Sequence, residues 1–167
     1  SARDVTALHV MTAILGQGES SRLYQKLVKE KEVAAQLGAF VDDRMGPGVY
    51  RIVAIVRPGK SPEQVESLIG EEIAKLHAEP VTDKELLRAR SSIRRGAVAS
   101  RQSALGRAIR LADDAVLFND PGRINTLAGQ RMQVSAAEIQ AAVRSHLNAA
   151  NRTVIVTVPA AKPAAAK

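Results

Sequence analysis

The stretch VAAQLGAFVDDRMGPGVYRIVAIV, residues 33–56, holds two runs of alternating hydrophobicity either side of a loop rich in glycine. In the first run Val33, Ala35, Leu37, Ala39 and Val41 are expected on one side of an extended chain, because side chains along a strand alternate with period two. The second, VYRIVAIV at 49–56, is the strongest strand signal in the chain, being rich in β-branched residues. Gly46, Pro47 and Gly48 supply turn chemistry between them. The spacing predicts an antiparallel hairpin.

Working outward from the hairpin, the pattern changes to helical. Residues 3–15 carry Val5, Leu8, Ala13 and Leu15 at helical spacing, with Gly16 as a stop. Ser20 or Ser21 is expected to cap a second helix whose apolar face is Leu23, Leu27 and Val28. On the other side, Ser61-Pro-Glu-Gln, Thr82-Asp-Lys-Glu and Ser135-Ala-Ala-Glu repeat the capping-box device, the first with proline at the first helical position. The helix from Pro62 would bury Val65, Ile69, Ile73 and Leu76, and Pro80 ends it. The helix from Asp83 is expected to run past residue 110, with Gly96 and Gly106 as candidate bends. A short segment at 121–129 precedes a last helix bearing Ile139, Val143 and Leu147. TVIVTV, residues 153–158, reads as a final strand, and PAAKPAAAK after it as a mobile tail. This order implies an α+β fold, an antiparallel or mixed sheet with helices packed on one face. The expected organisation is one domain, 1–158, followed by the tail, 159–167.

Composition limits what the domain does. Of 167 residues 46% are hydrophobic, enough for a real core, but only 2% are aromatic, so Leu, Ile, Val and Ala must fill it. Close helix packing is therefore expected rather than a roomy ligand pocket. Without cysteine there is no disulfide, no thiolate metal site and no Cys nucleophile. No apolar run is long enough to span a bilayer. The net charge of +7 raises nucleic acid as a partner. Yet Arg88, Arg90, Arg94, Arg95, Arg101, Arg107 and Arg110 spread around a helix, and few aromatics are available to stack on bases. No specific nucleic-acid partner is expected; solvated helix faces or an acidic partner surface suit these arginines better.

Motifs for self-contained chemistry are missing. His9, His77 and His146 lie on different predicted helices, and no H-E-x-x-H or H-x-x-E-H occurs. GQGES lacks the Lys-Ser/Thr of a phosphate loop and no strand precedes it, so it reads as an interhelical turn. No G-x-S-x-G elbow is present. The adjacent pairs Asp42–Asp43 and Asp113–Asp114 are expected to be surface charge.

One family pattern covers nearly the whole chain. ALHVMTAILGQGESSRLYQKLVKEKEVAAQLGAF, GPGVYRIVAIVRPGKSPEQVESLIGEEIAKL, VTDKELLRARSSIRR and the closing TVIVTVP resemble the C-terminal half of the pitrilysin/insulinase family. These inverzincin zinc metallopeptidases include the mitochondrial processing peptidase and its bacterial two-chain relatives. The resemblance implies homologous α+β domains facing one another across a closed peptide chamber. It implies zinc on an H-x-x-E-H helix in the N-terminal half, which this sequence does not contain, so no metal site and no cofactor are expected here. The opposite half usually contributes an Arg and, seven residues later, a Tyr that contact bound peptide. Those positions fall on Val28 and Ala35, neither of which can donate a side-chain hydrogen bond. No catalytic or substrate-binding residue is therefore assigned.

By the same resemblance the chain is expected to be the non-zinc-binding C-terminal half of a zinc endopeptidase subunit, inactive alone, closing the chamber over unfolded peptide. Its partners would be the N-terminal half of the same chain and a homologous subunit carrying the Arg/Tyr pair. The alternative is a catalytically inactive structural or assembly subunit of the same fold. Bacterial members of the paired type suggest a periplasmic location. Ser1 leads almost directly into a helical pattern, so the domain is expected to be incomplete at its N-terminus, where the family has an additional strand.

Overall fold

The helix Ala2–Leu15 (α1) is apolar on nearly every side, and it occupies the centre of the fold for that reason. Ala7, Leu8, Val10, Met11, Ile14 and Leu15 are all buried. In this computed structural model, which describes residues 2–42, 44 and 48–158, α1 packs against the first strand and several of the later helices. Gly16 ends it as expected. A Cβ there would lie 2.5 Å from that of Ala39, so glycine is what lets the first strand approach, and Ala39 N donates to Gly16 O at 3.3 Å.

The hairpin forms as an antiparallel pair, β1 (Ala34–Asp42) and β2 (Val49–Val56), with Ala39 opposite Ile52 and Val41 opposite Tyr50. Asp43 and residues 45–47 of its connection, and the tail 159–167, lie outside the described residues. From Leu37 onward the alternation holds: Leu37, Ala39 and Val41 turn toward the helices. Before it, a bulge between Ala34 and Gln36 inserts one residue. That shifts the face, so Ala34 is buried while Ala35, expected beside Leu37, is exposed.

The second helix also differs from expectation. Ser21 does not cap it; its hydroxyl donates to Gly18 O at 2.8 Å and tightens the preceding turn. Residues Tyr24–Glu30 then form a π-helix, marked by Lys31 N donating to Lys26 O. Its Leu27 and Val28 still enter the core.

The later helices are α2 (Pro62–Ala78), α3 (Asp83–Gln102), α4 (Ala104–Phe118), α5 (Arg123–Met132) and α6 (Ala136–His146). Thr82 and Ser135 close reciprocal capping boxes with Glu85 and Glu138, while Ser61 accepts from Gln64 N at 3.1 Å. The long predicted helix breaks at neither glycine. It breaks at Ser103, which leaves helical geometry and caps α4 by accepting from Gly106 N. The core joins α1, the π-helix, α2, the start of α3 and α6 through Leu27, Val65, Leu76, Leu86, Ile139 and Val143. The result is α+β and rich in helix, its sheet covered on one face.

One expected strand does not pair. Residues 152–158 run without a ladder among the described residues, and Val154, Ile155, Val156 and Val158 are exposed. Strand propensity is present, but a strand is defined by hydrogen bonds to a neighbour, and among the described residues β2 pairs only with β1.

Candidate functional site

The alternation of β2 sends Tyr50, Ile52, Ala54 and Val56 toward the helices and Val49, Arg51, Val53 and Ile55 to the opposite, open face. On that open face the hairpin register sets Phe40 opposite Arg51, Gly38 opposite Val53 and Gln36 opposite Ile55. The Phe40 ring folds back over Gly38, where a Cβ would meet it at 2.8 Å. Phe40, Val53 and Ile55 remain about half exposed, at 48%, 53% and 53%. A sheet face this apolar is unusual in contact with water.

Beside the free edge of β2 lies a groove of about 2500 Å³. One wall is β2, the other is the segment 152–158, and α2 contributes Val65, Ile69 and Ile73 to its lining. The first turns of α1, through Ala2, Val5 and Thr6, also line it. It is not a pocket left by loose helix packing, which the small aliphatic composition argued against. It is the space between two extended segments. Burial raises the Tyr50 phenol above its ordinary pKa; its hydroxyl makes no well-formed hydrogen bond among the described residues, and Thr12 Oγ1, beside it, donates to Leu8 O at 2.7 Å.

The two positions singled out from the sequence are not brought into a common polar site. Val28 is 7% exposed and belongs to the core, whereas Ala35 sits at the β-bulge on the surface. The histidines are engaged separately: His77 Nε2 lies 2.8 Å from Leu147 O, and His146 Nε2 lies 3.4 Å from Asp4 Oδ2. Among the described residues no three of His, Asp and Glu gather at metal-binding distance, so this donor set does not fit zinc.

One acidic residue overturns its sequence reading. Asp114 is not surface charge but fully buried, held by Arg110 at 2.8 and 2.9 Å and by Arg123 Nε at 3.3 Å. Arg123 also stacks on Phe118, 3.8 Å from the ring centre. Spacing alone hid this, because the second arginine comes from α5. Asp42 pairs with Arg44 at 2.6 Å, and Asp43 lies outside the described residues.

The described residues thus form an α+β domain whose sheet keeps one apolar face open. The chain belongs to the peptidase M16 inactive domain family, whose sequence profile matches residues 1–93. This is the C-terminal domain type of the pitrilysin/insulinase peptidases that the sequence resembles. No curated protein matches the chain. Among solved structures, the inactive peptidase domain of a protein assigned as a zinc protease in Bordetella parapertussis is similar at TM-score 0.84 and 23% identity, over 97% of this chain and 87% of its own. A protease from Helicobacter pylori gives 0.80 at 20% identity, covering 87% of this chain but 35% of its own, so the present chain spans about a third of that protein. The periplasmic protease PqqL of Escherichia coli gives 0.60 at 16% identity, over 86% of this chain and 15% of its own. These likenesses establish the fold. No helix among the described residues is long and apolar enough to cross a membrane.

Proposed function

We propose that this chain is the zinc-free C-terminal half of a zinc-dependent endopeptidase subunit, and that it closes the chamber in which an unfolded peptide is held. The observation carrying this reading is the open face of the sheet. Phe40, Val53 and Ile55 present an apolar wall against which an unfolded peptide can lie. Zinc and the general base would come from an N-terminal half, and a homologous subunit would supply the Arg/Tyr pair that Val28 and Ala35 do not. The periplasmic setting of PqqL supports an exported location.

The domain itself, 1–158, is on this reading completed by one more strand seated between β2 and residues 152–158. Both flanking segments have unpaired backbone among the described residues, and the start of α1 opens into the same groove. Hydrogen exchange tests this: amides of 49–56 and 153–158 should gain protection when the upstream segment of the parent is restored. Unchanged exchange would remove the added strand.

The functional test is hydrolysis of an unfolded peptide by the parent polypeptide with and without this domain. Activity should need both halves and be abolished by a chelator. Chelator-sensitive hydrolysis by this domain alone, or full activity of a parent lacking it, would overturn the reading.

A further inference from the structure

From Leu86 to Ala112 the chain contains seven arginines, no lysine and no acidic residue. The fold divides those arginines into two sets. Arg90 donates to Val134 O at 3.0 Å, Arg101 to Ile124 O, Arg107 to Arg101 O, and Arg110 pairs with Asp114. Arg88, Arg94 and Arg95 have no hydrogen bond or ion pair among the described residues. At about 100° per residue these three share roughly a third of the α3 circumference with Leu87, Ser91 and Val98. Leu86, Ala89 and Ile93 occupy the opposite side, toward the core.

The exposed side of α3 is therefore both cationic and apolar. Leu87 is 66% and Val98 57% exposed, and a shallow depression of about 450 Å³ runs along Ser91, Arg94, Arg95, Val98 and Gln102. Three unneutralised guanidinium groups around an aliphatic strip call for a complement that carries both features. Protein interfaces favour arginine and disfavour lysine, and their centres are apolar. A groove for single-stranded nucleic acid would add aromatic stacking platforms, and this face has none; a duplex backbone would need the cations but leave the aliphatic strip between them unmatched. A membrane-surface helix anchors through Trp, Phe or Leu along a continuous apolar side, whereas here arginines interrupt the strip.

We infer that the exposed face of α3, built on Leu87, Arg88, Arg94, Arg95 and Val98, docks a second polypeptide whose surface offers an apolar strip edged by aspartate or glutamate. This inference rests on the partner-docking part of the proposed function. Its test involves neither zinc nor hydrolysis, so it can fail while the chamber reading stands. The probe is a labelled amphipathic helical peptide with leucines on one face and glutamates along its flanks, followed by fluorescence anisotropy with the purified chain. The double variant Arg94→Glu/Arg95→Glu should weaken binding about tenfold or more with no change in melting temperature, and Val98→Ser should weaken it several-fold. A control peptide with glutamines in place of leucines should bind about tenfold more weakly. Absence of binding, equal binding of the control peptide, or indifference to these substitutions would overturn the inference. So would tighter binding of a DNA duplex or of anionic vesicles through the same arginines.

Discussion

Arg22, ahead of the π-helix, grips Glu85 in the first turn of α3 with two parallel hydrogen bonds of 2.6 and 2.9 Å, while Glu85 also accepts from Thr82 N at 2.9 Å. One carboxylate thus caps α3 and ties it to the opening of the π-helix, more than sixty residues earlier in the chain. The Arg22 hydrogen bonds chiefly hold the Glu85 pKa down to about 2.

Stability should therefore fall in acid. A carboxylate whose folded pKa is depressed contributes stability that is complete above its unfolded value, near 4.3, and is lost as pH falls toward 2. Glu138, lowered to about 2 chiefly by its bond to Arg3, adds to the same window, though its greater exposure makes its share smaller. Denaturant midpoints should be flat from pH 7 to about 5 and decline below that. Glu85→Gln should flatten the decline and lower the neutral-pH stability by about 2 kcal/mol, near 5 °C in melting temperature. An acid limb unchanged by that substitution would contradict the assignment.

The buried Asp114 makes a sharper contrast. Asp114→Ala leaves Arg110 and Arg123 facing each other without their counter-charge, and about 3 kcal/mol of stability should go with it. Asp113→Ala, one residue away and exposed, should change stability by less than about 0.5 kcal/mol. Equilibrium unfolding of the two variants side by side is the check; similar losses would mean that Asp114 is not the charge that locks α4 to α5.

The helix break at Ser103 predicts opposite signs at two positions that the sequence presents as equivalent candidates. A Cβ at Gly96 would meet nothing within 4 Å, so Gly96→Ala should stabilise α3 by roughly 0.5–1 kcal/mol. At Gly106 the same atom would approach Ser100 O to 2.9 Å, so Gly106→Ala should destabilise. Loss of the Ser103 cap in Ser103→Ala should cost about 1 kcal/mol. Thermal melts of the three variants decide the point.

Local signals account for what the sequence revealed. Thr82 and Ser135 announce their helices because a capping box is complete within four residues, and the β1–β2 hairpin is legible because period-two alternation flanks the glycine-rich loop. Non-local facts stayed hidden. The burial of Asp114 depends on Arg123 arriving from another helix, and the bulge at Ala35 depends on how β2 pairs. TVIVTV carries every local mark of a strand, yet whether it becomes one is decided by what lies next to it. The groove belongs to this second class: its walls are 49–56 and 152–158, nearly a hundred residues apart, and no motif records that they face each other.

The unpaired edge of β2 and the bare segment 152–158 also set how this molecule behaves in a crowd. Among the described residues each offers a row of unpaired backbone groups beside exposed valine and isoleucine, the features that make one strand recruit another regardless of partner. With no charge inside TVIVTV, Arg51 on β2 and the overall charge of +7 oppose such contacts, and salt screens that repulsion. Solubility of the isolated domain is thus tied to ionic strength, and the same gap that can seat a strand is a place where copies of the chain, or stray unfolded polypeptide, can begin to stack.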